Sequence, residues 1–554
     1  MKEFGSSMKI VGYQSGHDVA YCILEDGVPI IHEEYERFLR EKEPLGDGLD
    51  WFFQNITDKE LDDIKYFTEG NPFNRNGKYG PVCSKKEPHQ KMKNHVAKVG
   101  GGHYIVSHHQ SHAANAFFSS NYDDALIITI DGGGNEKHDW EDVETEYING
   151  KGTSFTLWEG SGNKIKPIHI YQDFDLNLGA FYQSVTGKVF GMSIGHPYGF
   201  QGGTVMAMAC MGDSSKYFDK FYEILKGNNT RETFDGMMDY YKFGEIVKKS
   251  EQESFDVAAG AQKAFEVITR ETLTPYIEKY NPKNLCLSGG VVLNSVLVGK
   301  MYDWFSDVEN IYVCPVPYDS GLAIGSAQYI YHQVLDKPRV KWEDNSSPYL
   351  GRTYDEKSVW FDLDKVKDKV STEEVDDDAV AMLLSVDNNV ISVFGGGSES
   401  GRRALGNRSI LADPRSPDMK DIINEKVKHR QWFRPFAPSI IREDVKDWFE
   451  KDVDSPYMTA VIKFKEEVRD KVPAVVHFDG TARLQTVTEN DNEWYYNFIK
   501  KFESMSGVPI VLNTSFNDRE PIVETPEHAI NCFLRTDIDY LYFREYGILV
   551  SKVV

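Results

Sequence analysis

Two strand–turn–helix units follow each other in the middle of the chain. In the first, the apolar run Asn284–Leu287 leads into Ser288-Gly289-Gly290 and a helical pattern. In the second, Ile311–Cys314 is followed by Pro317–Gly321 and a helical pattern through Val334. Strands that alternate with helices predict a mainly parallel sheet, because parallel neighbours need a crossover connection. A glycine turn before a helix can bind phosphate through its backbone N–H groups, but an ordinary βα connection without a ligand explains each unit equally well.

The N-terminal residues predict a small antiparallel sheet. Lys9–Tyr13, Ala20–Leu24 and Val28–Ile31 are short strand-like runs, and an Asp-Gly turn joins the last two. That turn is typical of a β-hairpin. Actin/hexokinase-like nucleotide-binding domains begin in this way, although many β-meanders do so too.

The next candidates for chemistry are histidines and an aspartate. A helix that starts near His108 would place His108 and His112 on one face, where two imidazoles can share a metal ion. An HxxxH pair without a third ligand is more often structural. The buried-type strand Ala125–Ile130 ends at Asp131 before three glycines. Chemistry in α/β folds is often placed at such a strand end, but a simple turn aspartate fits equally well.

Composition excludes several classes of protein. The longest apolar runs fall short of the roughly 18 residues that a membrane span needs, so we expect a soluble, cytoplasmic protein without a membrane partner. The six cysteines are far apart and form no CxxC pair, which argues against structural zinc and a disulfide framework. A net charge of −24 argues against non-specific nucleic-acid binding, although it leaves room for a local groove.

A polar segment without periodicity, Lys337–Ser347, predicts a linker over residues 337–354 and a second domain over 355–554. In that domain, the strand-like run Val390–Phe394 leads into three glycines and then arginines. Between Arg402 and Arg434 there are nine Lys/Arg residues against four acids. This stretch predicts a phosphate cradle, since glycine lets backbone N–H groups approach an anion. The alternative is a solvated helix face.

Residues 71–101 are rich in glycine, proline and lysine, and they predict a long surface excursion. Its middle is basic, with lysines at 85, 86, 91 and 93. The excursion could line the site of an anionic substrate such as nucleic acid, or it could be a solvated loop with ordinary lysines.

Taken together, the motifs resemble the O-carbamoyltransferases of the nodulation-protein and antibiotic-tailoring type (NodU/TobZ-like), from Met8 nearly to the C-terminus. In the first half they are Gly16-His17-Asp18, Glu36-Arg37-Phe38, His108–His112, Ser288–Val291 and Asp319-Ser320-Gly321. In the second half they are Arg403–Ser409, Phe433–Pro438, His477 with Asp479–Arg483, and Asn513–Asn517. So many motifs in one order make the resemblance specific.

The resemblance implies α/β and α+β architecture in two domains. Residues 8–336 would form an actin/hexokinase-like domain of duplicated βα units, similar to the threonylcarbamoyl-transfer domain of tRNA modification. Residues 355–554 would form a YrdC-like domain that converts carbamoyl phosphate and ATP, with Mg²⁺, into carbamoyl adenylate. The first domain would then transfer the carbamoyl group to an acceptor hydroxyl and release AMP.

The resemblance also assigns ligands in the first domain. Asp319 would join His108 and His112 around a divalent metal ion, with Fe²⁺ preferred and Mn²⁺ or Zn²⁺ as alternatives. The residues that would hold the adenylate are Ser288, Gly289, Gly290 and Asn294.

The remaining roles concern proton transfer and substrate activation. His17, assisted by Asp18 or Asp131, would be the base for the acceptor hydroxyl, because imidazole titrates near neutral pH. ATP and carbamoyl phosphate would bind to Arg403, Lys428, Arg430, Arg434, Arg483, Asn513 and Ser515. Lys428 and Arg430 match the Lys-x-Arg pair expected to hold the phosphates.

The chain departs from the family pattern at three places. Thr204 stands where a lysine is usual, and Gly397 where an arginine is usual. The segment Asp518–Pro521 lacks the usual glycine. These departures affect individual ligand assignments and could mark an unusual acceptor.

Other functions remain open at this point. The acceptor could be a sugar or natural-product hydroxyl, or a 5-hydroxymethylpyrimidine in a nucleotide or in DNA. A tRNA threonylcarbamoyl-type N-transferase shares the ancestry, and an actin-fold ATPase without transferase activity shares the first domain. A homodimer is compatible with all of these.

Overall fold

The computed structural model of the chain describes residues 7–46, 49–70, 86–134, 152–172, 175–193, 201–341 and 348–553. Contacts between Cα atoms divide it into two units. The first comprises residues up to Trp342 apart from two short segments. The second comprises Glu343–Val554 together with those segments, Arg40–Lys42 and Ser295–Lys300.

The first sheet of the first unit is built from the N-terminal residues. Its strands are β1 (Lys9–Gln14), β2 (Ala20–Glu25), β3 (Val28–Glu34), β4 (Ile64–Gly70) and β5 (Gly102–Val106). Their order is β3-β2-β1-β4-β5. β1, β2 and β3 pair antiparallel, whereas β1, β4 and β5 pair parallel. The predicted hairpin is therefore present at one end of a mixed sheet.

The second sheet repeats this topology. Its strands are β6 (Asp124–Gly134), β7 (Thr153–Ser161), β8 (Lys164–Gln172), β9 (Asn284–Ser288) and β10 (Asn310–Val313). Their order is β10-β9-β6-β7-β8. β6, β7 and β8 pair antiparallel, whereas β6, β9 and β10 pair parallel. The first unit thus contains the duplication predicted for an actin-like domain.

Nineteen α-helical segments lie in the described part of the chain, and thirteen of them precede residue 330. Those thirteen are α1 (Tyr35–Leu39), α2 (Leu49–Asn55), α3 (Asp58–Asp62), α4 (Lys86–Lys98), α5 (His108–Phe118), α6 (Leu178–Ser184), α7 (Gly202–Ala209), α8 (Phe218–Lys226), α9 (Arg231–Tyr240), α10 (Phe243–Ile246), α11 (Glu251–Tyr280), α12 (Ser295–Trp304) and α13 (Leu322–Tyr329). Among the described residues, none of the helices is long and apolar enough to cross a membrane.

Two helices lie between the two sheets. α13 packs on β1, β2 and β4, α5 packs on β6, β7 and β9, and the two helices pack on each other. Gly325 makes this close packing feasible, because a Cβ there would lie 1.9 Å from the backbone oxygen of Ser111 in α5. Asn115 of α5 also donates a hydrogen bond to the Val316 carbonyl at 2.9 Å. α5 is consequently buried along its whole length.

One prediction about this unit needs correction. The predicted surface excursion at 71–101 contains α4, and Met92 and Val96 of that helix belong to the hydrophobic core. Residues 71–85 lie outside the described residues.

The second unit is built on one mixed sheet of nine strands, in the order β11-β19-β18-β12-β13-β17-β14-β16-β15. The strands are β11 (Val370–Glu374), β12 (Ile391–Phe394), β13 (Arg408–Ala412), β14 (Ala437–Ile441), β15 (Ala460–Lys463), β16 (Thr481–Val487), β17 (Ile510–Ser515), β18 (Tyr540–Phe543) and β19 (Ile548–Lys552). The helices are α14 (Glu356–Asp364), α15 (Asp377–Leu384), α16 (Met419–Ile422), α17 (Val445–Trp448), α18 (Glu493–Ser506) and α19 (Pro526–Arg535). This alternation agrees with the predicted mixed α/β class.

The beginning of the predicted linker is held to the first unit by Arg339. Its guanidinium donates hydrogen bonds of 2.8–3.1 Å to the carbonyls of Phe117 and Ser120 at the end of α5, and to those of Tyr122 and Gly162. A cation is favoured here because the last carbonyls of a helix are unsatisfied and carry partial negative charge. Residues 337–341 are therefore part of the first unit rather than a free linker.

We expect Arg339→Ala to lower the free energy of unfolding by about 2–4 kcal/mol, because several carbonyls lose a charged donor. The measurement is the urea midpoint of the unfolding transition. Lys341→Ala is a matched control, since Lys341 lies two residues away and makes an exposed ion pair of 3.7 Å with Asp123. Equal midpoints for the two variants would contradict the structural role of Arg339.

Candidate functional site

Two histidines and two aspartates meet in the first unit. His108 Nε2 lies 2.5 Å from Asp131 Oδ2 and 3.5 Å from Asp319 Oδ1. His112 Nε2 lies 3.4 Å from each of the same two oxygens. All four ligand atoms lie within 4.8 Å of one another. These four residues, called the metal-site cluster below, are close enough to share one ion.

Each member of the metal-site cluster comes from the end of a secondary-structure element. His108 and His112 lie one turn apart at the start of α5, Asp131 lies near the end of β6, and Asp319 lies in the 3₁₀ turn before α13. Gly134 permits the close approach of β6, because a Cβ there would be 2.3 Å from the His108 ring. The packing of α13 on α5 therefore brings the carboxylate of Asp319 to the two imidazoles.

The donor set fits a divalent metal ion. Among the described residues, the buried Nε2 atom of His112 has no hydrogen-bond partner. The other ring nitrogen, Nδ1, lies 3.3 Å from the Ser288 hydroxyl. If a metal ion replaced the proton on Nε2, the remaining ring proton would lie on Nδ1, facing Ser288, and Nε2 would offer its lone pair. A second group that orients a ligating imidazole is usual in metal sites. Two imidazoles and two carboxylates suit Fe²⁺, Mn²⁺ or Zn²⁺.

The electrostatics of the cluster favour a cation. Burial alone raises the pKa of Asp131, but the neighbouring His108 and His112 outweigh it and hold that pKa well below its usual range. Burial also opposes ionisation of Asp319, yet the His108 and His17 charges lower its pKa. For His112, burial is outweighed by Asp131 and Asp319, which raise the pKa to about 9. The two carboxylates are therefore ionised and attract a positive charge.

His17 lies at the accessible edge of this cluster. Its Nδ1 is 3.0 Å from Asp18 Oδ2, its Nε2 is 3.1 Å from Asp319 Oδ2, and 33% of its side chain is exposed. Burial opposes the charged imidazole, but Asp319 and Asp18 raise the pKa of His17 well above its ordinary value. Of the two carboxylates predicted to assist His17, Asp18 is in hydrogen-bond range. Asp131 was assigned a catalytic role from sequence, and it instead contacts the two metal-site histidines.

The histidine between the two ligands has a different environment. His109 Nε2 lies 2.8 Å from the Thr153 carbonyl and Nδ1 lies 2.6 Å from the Thr129 hydroxyl. Because a carbonyl can only accept, Nε2 carries the proton and Nδ1 accepts from Thr129. Burial lowers the pKa of His109 to about 3, so the ring is neutral and structural.

The residues predicted to bind the adenylate lie beside the cluster, but their side chains face different groups. The Ser288 hydroxyl contacts His112 and is fully buried. A Cβ on Gly290 would lie 3.2 Å from Asp131 Oδ1, so the backbone of this turn borders the metal-site cluster. Gly289 has a φ of +97°, which glycine adopts without strain. The Asn294 amide forms two hydrogen bonds of 3.0–3.1 Å with Gln262 of α11.

In the second unit, four predicted arginines influence one another electrostatically. Burial holds the pKa of Arg483 well below its ordinary value, and the positive charges of Arg403, Arg434 and Arg430 lower it further. Arg430 is affected in the same way by burial and by Arg434. Within the described residues, the buried Nε of Arg483 has no hydrogen-bond partner. This arginine cluster (Arg403, Arg430, Arg434 and Arg483) is suited to an anion with several charges.

Lys428, which is predicted to hold phosphate, is surrounded by oxygen atoms of the protein. Its ammonium group lies 2.5 Å from the Ser515 carbonyl, 2.9 Å from the Asn517 carbonyl, and 2.7 Å and 3.2 Å from the side-chain oxygens of Asn517 and Ser515. An ammonium has three donors, and four oxygens already surround it. Lys428 therefore fixes the turn after β17, and both it and Ser515 are engaged inside the protein.

Asn513 offers an acceptor to a ligand. Its side-chain nitrogen lies 2.9 Å from the Ala404 carbonyl, 2.8 Å from Gln485 Oε1 and 3.1 Å from the Ser439 hydroxyl. Within the part of the chain that the structure describes, its buried Oδ1 has no hydrogen-bond partner. A buried amide oxygen of this kind is suited to an N–H donor.

The first two glycines of the predicted phosphate cradle have their backbone groups bound to protein atoms. The backbone N–H of Gly395 donates to the Asn407 carbonyl at 3.2 Å, and that of Gly396 donates to the Glu545 carboxylate. The buried Arg408 donates to the carbonyls of both glycines at 3.0 and 3.2 Å. These backbone groups therefore bind protein atoms, and the glycines serve to let side chains approach.

At Gly397 and Thr204, where the family pattern has an arginine and a lysine, the structure shows the surroundings of each position. A Cβ on Gly397 would lie 2.6 Å from the Gly351 carbonyl, so no side chain fits there unless the loop shifts. Thr204 lies in α7 with 1% exposure, so that position does not present a side chain to solvent.

Sequence reasoning missed two contributors. The position of Asp131 near the end of β6 could have indicated its place in the metal site. β6 and β9 are parallel neighbours, so Asp131 lies at the same edge of the sheet as the glycine turn after β9. Asn424 had no signal, although its buried side chain accepts from Arg430 Nε at 2.8 Å and donates to the Arg434 carbonyl at 2.9 Å. It thereby orders part of the arginine cluster.

We expect the purified protein to bind one divalent ion per chain, measured by elemental analysis and calorimetry. His112→Ala should weaken binding by about 100-fold or more, and Ser288→Ala by about 10-fold, because the serine only orients the ligand. His169→Ala is the control, since His169 is an exposed histidine of the same unit. Unchanged affinity in His112→Ala would exclude the cluster as the metal site.

Two family profiles match most of the chain. The profile described as "Carbamoyltransferase N-terminus" matches residues 90–328, and the profile described as "Carbamoyltransferase C-terminus" matches residues 381–550. Among solved structures, HypF from T. kodakarensis aligns with 60% of this chain and 48% of its own, at 14% identity and a TM-score of 0.38. A score this low supports no inference about ligand or activity.

Curated relatives extend over more of the chain. An uncharacterized protein of Synechocystis sp. is 31% identical over 96% of this chain and 94% of its own length. Nodulation protein NolO of Bradyrhizobium diazoefficiens is 35% identical over 79% and 77%, respectively. Nodulation protein NolNO of Sinorhizobium fredii is 37% identical over 81% of this chain, which spans 64% of that protein. The chain therefore belongs to the carbamoyltransferase family and is a carbamoyltransferase enzyme.

Proposed function

We propose that this enzyme is an ATP-dependent O-carbamoyltransferase with two steps. In the second unit, a YrdC-like domain on this proposal, carbamoyl phosphate and ATP give carbamoyl adenylate. In the first unit, the carbamoyl group passes to an acceptor hydroxyl. The observation that carries the proposal is that one chain of this family has two sites suited to ligands of opposite charge. The metal-site cluster is suited to a cation, and the arginine cluster is suited to an anion.

The first step needs a site for several negative charges. Its balance is carbamoyl phosphate, ATP and water on one side, and carbamoyl adenylate, pyrophosphate and phosphate on the other. Water first cleaves carbamoyl phosphate into phosphate and carbamate. The carbamate oxygen then forms a bond to the α-phosphorus of ATP, and the bond from that phosphorus to the oxygen bridging to the β-phosphate breaks to release pyrophosphate. The arginine cluster stabilises the phosphate charges, and Asn513 Oδ1 is placed to accept from the carbamoyl NH₂ group.

The second step uses the first unit. His108, His112, Asp131 and Asp319 would hold a divalent ion, for which Fe²⁺ is our first choice, and when bound the ion supplies positive charge beside the adenylate phosphate. Asp319 raises the pKa of His17, and an ion bound to Asp319 would offset that effect. The neutral imidazole of His17 would then accept the proton of the acceptor hydroxyl, while Asp18 orients its ring. The acceptor oxygen bonds to the carbamoyl carbon, and the bond between that carbon and the adenylate oxygen breaks to release AMP.

The accessible edge of the metal-site cluster is where the acceptor would enter. His17 lies at this edge with 33% of its side chain exposed, whereas the four cluster residues are mostly or wholly buried. The acceptor is a hydroxyl-bearing molecule, either a sugar or natural-product alcohol or a 5-hydroxymethylpyrimidine.

The two steps predict separable variants. Arg483→Ala should lower pyrophosphate release with ATP and carbamoyl phosphate by about 100- to 1000-fold, because it removes a donor to developing negative charge. Asp319→Asn should leave pyrophosphate release within about twofold of wild type while abolishing carbamoyl transfer. The measurements are a coupled pyrophosphate assay and mass spectrometry of the acceptor.

Arg442→Ala is the matched control in the second unit, since Arg442 pairs with the exposed Asp452 and Asp454. It should keep pyrophosphate release unchanged. If wild-type protein releases no pyrophosphate with any acceptor in a panel of sugars, natural-product alcohols and 5-hydroxymethylcytosine DNA, the proposed first step is refuted.

A further prediction concerns His17. His17→Asn should lower carbamoyl transfer by about 100- to 10,000-fold, the usual contribution of a general base, without changing pyrophosphate release. Asp18→Asn should have a smaller effect in the same direction, since Asp18 acts through the imidazole. Product formation is measured by mass spectrometry of the carbamoylated acceptor. Full transfer activity in His17→Asn would assign the proton transfer to another group.

A further inference from the structure

Two exposed aromatic rings touch each other in the second unit. Trp432 is 47% exposed and Phe478 is 58% exposed, although large aromatic side chains usually bury most of their surface. The ring centroids lie 5.9 Å apart with an interplanar angle of 88°. Trp432 follows the Lys428–Arg430 segment, and Phe478 follows His477, a residue to which no role has been assigned.

The tryptophan is tied to the arginine cluster by one buried side chain. The Asn424 amide donates to the Trp432 carbonyl at 3.3 Å and to the Arg434 carbonyl at 2.9 Å. Its oxygen accepts from Arg430 Nε at 2.8 Å. Asn424 is 1% exposed, so this connection is protected from water. The backbone of Trp432 is therefore fixed by the same side chain that binds the Arg430 guanidinium and the Arg434 backbone.

The phenylalanine also has a cation beside it. Lys420 Nζ lies 4.6 Å from the centroid of the Phe478 ring. The preceding residue is His477, whose pKa burial lowers to about 4, with Asp479 opposing this and the charges of Arg483 and Lys420 adding to it. Phe478 thus contacts Lys420 and directly follows a histidine that is influenced by Arg483 of the arginine cluster.

We infer that Trp432 and Phe478 bind the adenine base of ATP while the arginine cluster holds its phosphates. This inference rests on the proposed use of ATP by the second unit. A nucleotide combines a flat π-system with a polyanion, and proteins commonly bind these parts with aromatic rings and with cations. The adenine stacks on the indole, and the phenyl ring, perpendicular to it, lines the edge of the base.

Elsewhere in this unit, an exposed aromatic pair provides a comparison. Trp360 and Phe361 of α14 are 43% and 68% exposed, and Lys365 Nζ lies 4.4 Å from the centroid of the Phe361 ring. They match Trp432 and Phe478 in residue type, exposure and the neighbouring lysine. Unlike Trp432 and Phe478, they have no proposed part in ATP binding. They are therefore matched controls for the loss of an exposed aromatic ring.

The test compares two ligands in calorimetry with the full-length protein. ATP carries the base and the phosphates, whereas inorganic tripolyphosphate carries only the phosphates. Trp432→Ala should weaken ATP binding by about 10- to 100-fold, as expected for the loss of one base–aromatic contact, and Trp432→Phe should restore most of it. Phe478→Ala should weaken ATP binding by a smaller factor. Neither variant should change the affinity for tripolyphosphate.

The controls Trp360→Ala and Phe361→Ala should bind both ligands like wild type. An effect of Trp432→Ala no larger than that of Trp360→Ala would overturn the inference, and so would an equal loss of ATP and tripolyphosphate affinity. In either case pyrophosphate release by wild type would leave the proposed function intact. Absence of ATP binding by wild type would instead refute both together.

Discussion

The burial of four ionisable side chains at one point constrains the first unit more than any other feature. His108, His112, Asp131 and Asp319 are mostly or wholly removed from water, and charges are stable there only when they are paired or bind a cation. The two histidines come from successive turns of α5, Asp131 comes from β6, and Asp319 comes from the turn before α13. The site therefore exists only when α5, β6 and the turn before α13 are packed together, and glycines at the contacts permit that packing.

The second unit presents the opposite electrostatic problem. Burial and the charges of Arg403, Arg434 and Arg430 lower the pKa of Arg483, and burial and Arg434 lower that of Arg430, so the proximity of these cations is unfavourable unless an anion binds. Asn424 maintains this arrangement through neutral hydrogen bonds that do not cancel the positive charge. The two units thus differ in the charge of the ligand each can stabilise, which is the physical basis for assigning them different steps.

Sequence patterns predicted the features that depend on spacing along the chain. The i, i+4 relation of His108 and His112, the repeated strand–turn–helix units and the early hairpin all follow from local periodicity. What periodicity does not determine is which partner a polar group finds in three dimensions. The glycine turn had the composition of a phosphate cradle, yet Asn407, Glu545 and Arg408 bind its backbone groups.

The spacing of the Lys-x-Arg motif likewise does not reveal that Lys428 and Arg430 have different surroundings. Lys428 lies among four oxygens of the turn after β17, so a phosphate could bind it only by displacing hydrogen bonds that already stabilise its charge. Arg430 is held on one side by Asn424 and stacks on Phe436, with its guanidinium carbon 4.7 Å from the ring centroid. A planar guanidinium can be oriented at Nε and on one face while other N–H groups still point toward a ligand, whereas a compact ammonium cannot. The lysine therefore shapes the site, and the arginine is the member of the motif that is suited to bind an anion.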